Sequence, residues 1–126
     1  MNETKKKILI VDDDRLLAES LEKLFEGGEF ETMMLFAGDD VCSTVMSWKP
    51  DVILLDVMLP GKNGIEIVKE MCDHDKGVCK RIVVMTTLND SAILAKALEL
   101  GVTSYVQKNT ATPESVVELA KKIISN

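Results

Sequence analysis

Short apolar runs rich in β-branched residues recur along the chain and predict five β-strands. Four of the runs are apolar at nearly every position, which is the pattern of strands covered on both faces, as in a parallel sheet. The runs are Ile8–Val11, Thr32–Phe36, Val52–Leu55, Ile82–Met85 and Ser104–Gln107.

Apolar residues at helical spacing lie between these runs and predict five α-helices. The alternation of strands with helices predicts an α/β protein with a doubly wound parallel sheet and right-handed crossovers. Thr112-Pro113 suits a helix start, with Thr as N-cap and Pro at the first helical position. The apolar stripes include Leu17, Leu21, Leu24 and Phe25, then Val41, Val45 and Met46, then Ile65, Val68 and Cys72, then Ile93 to Leu100, and finally Val116, Leu119, Ala120 and Ile123.

Size and charge narrow the class of protein. The 126 residues are 46% hydrophobic and 29% charged, which suits one hydrophobic core and predicts a single domain over residues 1–126. The net charge of −6 argues against direct nucleic-acid binding, since that depends on clustered Lys and Arg. The apolar runs are too short to cross a membrane.

The number and spacing of the cysteines indicate whether the protein works in a reducing or an oxidising compartment. Cys42, Cys72 and Cys79 are odd in number and contain no CxxC pair, which favours a reducing compartment over a disulfide framework. We therefore expect a cytoplasmic protein. Cys72, His74 and Cys79 have a spacing that fits no familiar metal site, so we expect none there.

Charged and hydroxyl side chains follow the strands, at the sheet edge where ligands of open parallel sheets bind. Acids brought together there would repel one another, and a divalent cation would relieve that repulsion. All-oxygen ligands suit Mg²⁺. An aspartate can also accept a phosphoryl group, whose charge a metal and a lysine neutralise. The residues are Asp12 and Asp13 after the first strand, Asp56 at the third, Thr86 and Thr87 at the fourth, and Lys108 after the fifth.

The segments ILIVDDD, DVILLDVMLPGKNG, VVMTT and GVTSYVQK resemble, in order and spacing, the signature segments of response-regulator receiver domains. The resemblance extends from Lys7 to Ile124. It implies a flavodoxin-like (βα)5 fold with strand order 2-1-3-4-5. It also implies a signalling domain, not an enzyme: a two-component phosphoacceptor switch supplied by a sensor histidine kinase or a phosphotransfer protein.

The same resemblance assigns the metal site. Asp56 would be the phosphoacceptor. Asp13 and Asp56 would ligate Mg²⁺ together with the backbone carbonyl of Met58, and Asp12 would act mainly through a bound water.

It also assigns the switch. Lys108 would pair with the phosphoryl group, which Thr86 would contact through its hydroxyl and Thr87 through its backbone N–H. Tyr105 would be the switch aromatic that follows Thr86. The face of the fourth helix, fifth strand and fifth helix would carry the output and would suit a homodimer.

Some positions depart from the family pattern. Asn109 follows Lys108 where most members have Pro after a cis peptide, and a cis bond without Pro costs about 3 kcal/mol, so we expect a trans or strained bond. An Asn at position 109 is also similar to the residue found there in family members that carry a helix-turn-helix output domain. Thr87 replaces a smaller residue, and Met58 and Leu88 are apolar where fast-hydrolysing members carry polar groups. We therefore expect a long-lived phosphoryl group.

Two alternatives remain at this point. A haloacid-dehalogenase-type phosphohydrolase would use Asp12 as nucleophile and Asp14 as acid–base partner, but Arg15-Leu16 follow where that family has a hydroxyl residue. A receiver-like module could instead dock partners without phosphorylation. Asp14 also suits an ordinary helix N-cap. We expect either a stand-alone receiver or the N-terminal part of a longer regulator.

Overall fold

Strands and helices alternate along the chain in the computed structural model, which describes residues 5–60, 62–86 and 91–125. Sequence patterning predicted each strand and α-helix but not the 3-10 helix, whose six residues have no apolar periodicity. The elements are β1 (Lys6–Val11), α1 (Arg15–Phe25), β2 (Phe30–Leu35), α2 (Val41–Trp48), β3 (Val52–Asp56), α3 (Gly64–His74), the 3-10 helix (Lys76–Arg81), β4 (Ile82–Thr86), α4 (Ser91–Leu100), β5 (Ser104–Gln107) and α5 (Pro113–Ser125).

The strands form one parallel sheet in the order β2-β1-β3-β4-β5. This confirms the predicted doubly wound, flavodoxin-like fold and its strand order 2-1-3-4-5. Every residue of β3 and β4 is buried, because helices cover both faces of the central strands. The edge strands β2 and β5 contain partly exposed and exposed residues, which explains their more mixed sequences.

The sheet divides the core into two layers. Alternate residues of β1 point to opposite sides, so Leu9 packs with α2, α3 and α4, and Ile8 packs with α1 and α5. Three large residues of the predicted apolar stripes are exposed instead, namely Leu24, Met46 and Leu98. Each lies at the margin of its stripe, where the helix surface turns towards solvent. In α1 the buried face is centred on Ala18, Leu21 and Phe25, not on Leu24.

Side chains cap the helices as their sequences predicted. Asp14 accepts a hydrogen bond from the backbone N–H of Leu17 and so caps α1. Thr112 Oγ1 accepts one from Ser115 N at 3.1 Å at the start of α5. No helix in the described part of the chain has the length and hydropathy that crossing a bilayer requires.

The cysteines correct one expectation. Cys72 and Cys79 form a disulfide with their Cα atoms 5.4 Å apart, whereas the sequence favoured a reducing compartment without one. The unpredicted 3-10 helix is the physical reason, because it folds the chain back so that Cys79 faces the last turn of α3. Cys42 is a free thiol. The metal-binding cluster found among the residues the structure describes does not include these cysteines or His74.

Cys42 is expected to react slowly with alkylating reagents. Burial raises the pKa of its thiol to about 11, and its hydrogen bond to Glu70, at 3.3 Å from Sγ to Oε1, adds to the rise. The thiolate is the reactive form, so carbamidomethylation at pH 8 should be roughly a hundredfold slower than for a thiol of ordinary pKa.

The measurement is the alkylation rate of the oxidised protein against pH, since the disulfide leaves Cys42 as the reactive thiol. The rate should rise to a midpoint near pH 11. Glu70→Gln removes the carboxylate charge and should move the midpoint to lower pH. A midpoint in the ordinary thiol range would contradict the assignment of this pKa.

Candidate functional site

The carboxyl ends of β1, β3, β4 and β5 bring the predicted site residues to one edge of the sheet. Asp12 and Asp13 follow β1 directly, and Asp56 is the last residue of β3. One carboxylate oxygen from each of these three residues lies within 4.8 Å of the others. The strand-end reasoning therefore located an acidic cluster that could hold a metal ion.

Asp12 is fully buried at the centre of this cluster. Its Oδ1 accepts hydrogen bonds from Asp14 N at 2.9 Å and from Lys108 Nζ at 3.1 Å. Its Oδ2 lies 2.8 Å from the same Nζ, so both oxygens of the carboxylate are within ion-pair distance of Lys108. A buried carboxylate needs a nearby positive charge, which Lys108 supplies to Asp12 in this structure.

Asp56 is also almost completely buried, with 2% of its surface exposed. Its Oδ1 accepts a hydrogen bond from Met58 N at 2.9 Å, and its Oδ2 lies 3.1 Å from Lys108 Nζ. The segment after Asp56 is held by Gly64, whose backbone N–H donates to Val57 O at 3.3 Å. A Cβ on Gly64 would lie 2.4 Å from Val57 Cα, so a glycine is required here. The Asp56 carboxylate is thus held by Met58 N on one oxygen and by Lys108 on the other.

Lys108 supplies the positive charge of the site. It follows β5, and only 12% of its side chain is exposed. Burial is the largest single effect on its pKa and lowers it, but the hydrogen bond to Asp12 and the charges of Asp56 and Asp12 outweigh burial and raise the pKa. Lys108 therefore stays a cation between the two buried carboxylates.

The pKa of Asp56 is raised above its ordinary value. Burial is the main cause, and the neighbouring charge of Asp12 adds to it. The hydrogen bond from Met58 N and the charge of Lys108 oppose the rise without cancelling it. One lysine therefore only partly compensates the carboxylates, and an additional cation would stabilise them.

The remaining predicted residues lie in different settings. Thr86 is buried at the end of β4, and its carbonyl accepts a 2.6 Å hydrogen bond from Lys108 N. Tyr105 is 48% exposed on the edge strand β5. Thr87 and Leu88 lie outside the described residues. Among those described, every peptide bond is trans, including Lys108–Asn109.

Two features of the site were not predicted. Lys108 was expected to meet a phosphoryl group, and the structure shows it bound to Asp12 and Asp56. Opposite charges at neighbouring strand ends were a signal that could have suggested these ion pairs. Gly64 was not singled out, because a close backbone approach leaves no mark in hydrophobic patterning.

Asp14 has a structural role that weakens the hydrolase hypothesis. Its side chain accepts the Leu17 N–H at the start of α1, as an N-cap. A group that caps a helix in this way is not placed as an acid–base partner for Asp12. The geometry centres on Asp12, Asp56 and Lys108 instead.

The fold and this acidic site define a signalling domain of the two-component type, and comparisons with known proteins agree. Residues 8–121 match the response regulator receiver domain family. The chain therefore belongs to the response regulator receiver domain family.

Similar proteins include the DNA-binding response regulator MtrA of Mycolicibacterium smegmatis, which is 35% identical over 126 residues. MtrA of Mycobacterium tuberculosis H37Rv is 34% identical over the same length. The alignments cover 100% of this chain and 54% of each relative, so the chain spans about half the length of the curated relatives it matches.

Solved structures show the same fold. A putative response regulator from Chloroflexus aurantiacus has a TM-score of 0.83 at 28% identity, with 97% of this chain and 99% of that chain covered. A receiver domain protein from Methanospirillum hungatei has a TM-score of 0.86 at 21% identity, with 96% and 94% covered. The second likeness supports the fold alone.

Proposed function

We propose that this receiver domain is a phosphorylation switch in which Asp56 accepts a phosphoryl group from the phosphohistidine of a sensor histidine kinase or phosphotransfer protein. The observation that carries the proposal is the buried Asp56 carboxylate, held 3.1 Å from Lys108 Nζ beside Asp12 and Asp13. A carboxylate oxygen of Asp56 attacks the phosphorus, an acyl phosphate forms, and the phosphorus–nitrogen bond to histidine breaks. Lys108 is near enough to pair with the transferred group.

The donor set fits Mg²⁺. Its side-chain ligands are all carboxylate oxygens, and two of the three carboxylates, those of Asp12 and Asp56, are buried. Asp13 is exposed, which leaves one side open to the waters that Mg²⁺ retains. Asp13, Asp56 and the Met58 carbonyl would hold the ion, and Asp12 would act mainly through a bound water. When bound, Mg²⁺ neutralises charge on the transferring phosphoryl group.

Thr86 and Tyr105 would connect the site to the output. The Thr86 hydroxyl and the Thr87 backbone N–H would bind phosphoryl oxygens, and Tyr105, half exposed in this structure, would change its position in response. A shift from mostly one arrangement to mostly the other requires roughly 5 kcal/mol of differential interaction. The α4-β5-α5 face would then engage an output or a second copy of the domain.

The wider context is part of the same proposal. The chain would be one receiver domain over residues 1–126, either standing alone or at the N-terminus of a longer regulator, and would work in the cytoplasm. The relatives are named DNA-binding response regulators, but the net charge of −6 suits a domain that leaves DNA contact to an attached output domain.

Incubation with Mg²⁺ and acetyl phosphate tests the proposal. Intact-protein mass should show one added phosphoryl group on wild type and on Asp73→Asn, a control at an exposed acid of α3. Asp56→Asn and wild type in chelator should remain unlabelled. A label that persists on Asp56→Asn would refute the assignment. Turnover of phosphate esters that disappears in Asp12→Asn would support the hydrolase instead.

The phosphoryl group is expected to persist for many minutes to hours. Met58, two residues after Asp56, is apolar and 61% exposed, so it offers no polar group to orient an attacking water. The measurement is loss of label after removal of the donor. Met58→Asn should shorten the lifetime, and decay of the wild type within seconds would contradict the prediction.

A further inference from the structure

The sulfur of Cys79 has two partners on different elements. It is bonded to Cys72 in the last turn of α3, and it lies 3.0 Å from the carbonyl oxygen of Leu100 at the end of α4. Both cysteines are almost completely buried, with 5% and 4% of their surfaces exposed. The 3-10 helix that carries Cys79 therefore lies between two helices that the sulfur can reach.

Cys79 cannot bind both partners in the same way. A thiol can donate its proton to the Leu100 carbonyl, whereas a sulfur in a disulfide has no proton to donate. In the disulfide, the 3.0 Å approach brings together two atoms with lone pairs and no hydrogen between them. The reduced pair can therefore donate a hydrogen bond to the end of α4, and the oxidised pair cannot.

The Leu100 carbonyl lacks a hydrogen-bond donor from its own helix. Gly101 N donates to Leu98 O and Val102 N donates to Ala97 O, both at 3.1 Å, which is the hydrogen-bond pattern of a Schellman motif. That motif leaves the Leu100 carbonyl without a partner from its own helix. The Cys79 thiol is close enough to donate a hydrogen bond to this carbonyl.

Gly101 brings this helix end against the sulfur. Its φ of +112° suits glycine, and a Cβ there would lie 3.3 Å from Cys79 Sγ. No side chain separates the turn after α4 from the cysteine. A change in the bonding of Cys79 is therefore transmitted directly to α4.

We propose that Cys72 and Cys79 form a reversible thiol–disulfide site, and that its redox state sets how firmly the C-terminal end of α4 is held. The oxidant is a low-molecular-weight disulfide. One cysteine thiolate attacks it and releases a thiol; the second cysteine then displaces the other thiol. The pair loses two protons and two electrons, which the reagent takes up as it becomes two thiols.

The proposal extends to phosphorylation and there rests on the proposed function. The α4-β5-α5 face is the surface expected to respond to a phosphoryl group on Asp56. If both events act on α4, each must change the equilibrium of the other by the same factor.

The first experiment needs neither Mg²⁺ nor phosphoryl donor. Cys42→Ser protein is equilibrated in buffers of reduced and oxidised glutathione, and the thiols are trapped and counted by mass. The count should change reversibly between two and none. Hydrogen exchange of the Gly101 and Val102 amides should be about fivefold slower in the reduced protein, the factor for one hydrogen bond of ordinary net strength.

Variants separate the hydrogen bond from the covalent link. In reducing buffer, Cys72→Ala keeps the Cys79 thiol and should exchange slowly, whereas Cys79→Ala has no donor and should exchange fast. Cys79→Ser restores a donor and should slow the exchange again. Hydrogen exchange of the protein with both cysteines, measured in reducing and in oxidising buffer, tests the redox site even if a variant fails to fold. Thiols that stay reduced in every buffer, or equal exchange in both states, would overturn the redox site.

The second experiment measures the coupling. Saturating Mg²⁺ and beryllofluoride, an analogue of the phosphoryl group, should shift the dithiol–disulfide equilibrium by about fivefold, at the lower end of typical allosteric coupling. Asp56→Asn should show no shift. Binding of beryllofluoride without a shift would overturn the coupling alone. Failure of beryllofluoride to bind wild type would refute the proposed function and the coupling together, while the hydrogen exchange still decides the redox site.

Discussion

Replacing Lys108 with methionine is expected to lower the free energy of unfolding by about 3 kcal/mol in the presence of a chelator. Lys108 Nζ lies 2.8 Å from Asp12 and 3.1 Å from Asp56, and both carboxylates are buried. Methionine keeps the apolar stem of the side chain and removes its charge, so two buried acids lose their shared cation. Saturating Mg²⁺ should restore most of the loss, because the metal replaces the missing charge.

Urea unfolding with and without Mg²⁺ measures both effects. Lys62→Met is the matched control, because Lys62 is ion-paired with Glu70 on the surface of the molecule. That substitution should change stability little, since exposed ion pairs are weak, and Mg²⁺ should not alter the difference. If Lys108→Met behaved like Lys62→Met, the lysine would not be the counter-charge of the acidic cluster.

Gly64→Ala is expected to destabilise the protein by about 3 kcal/mol and to slow phosphorylation from acetyl phosphate. The added Cβ would lie 2.4 Å from Val57 Cα and 2.6 Å from Val57 O. These are backbone atoms, so a rotamer change cannot relieve the contact. The segment that follows Asp56 must move, and with it the Met58 N–H that donates to the Asp56 carboxylate.

Gly77→Ala is the corresponding control. A Cβ there would meet one atom within 4 Å, the Asp75 side-chain oxygen at 3.3 Å, which can move. It should cost less than about 1 kcal/mol and leave the phosphorylation rate unchanged. Gly64→Ala protein with wild-type stability and rate would contradict the steric argument.

The sequence predicted the sheet and the acidic cluster because both depend on local, periodic information. A strand such as β3 is buried along its whole length, so its pattern is unambiguous, and its last residue must lie at the ligand-binding edge. Asp12, Asp56 and Lys108 could be placed by that rule alone. Their roles in phosphoryl chemistry came from the family resemblance.

What the sequence could not predict depends on short or irregular segments. The 3-10 helix has no periodicity, so the approach of Cys72 to Cys79 could not be foreseen, and two thiols were expected instead of a disulfide. Leu24 has the spacing of a core residue, but a one-residue rotation of the buried face leaves it exposed. The close approach of Gly64 to Val57 depends on tertiary packing that no local pattern records.

The ion pair between Asp12 and Lys108 joins residues 96 positions apart and so closes a loop that contains β2, β3, β4 and β5. During synthesis Asp12 is made before Lys108, which is added only after α4 and the whole of β5. A growing polypeptide that ends before Lys108 holds its carboxylates without their lysine. The carboxylates at this edge of the sheet therefore gain their counter-charge only after all five strands have been synthesised.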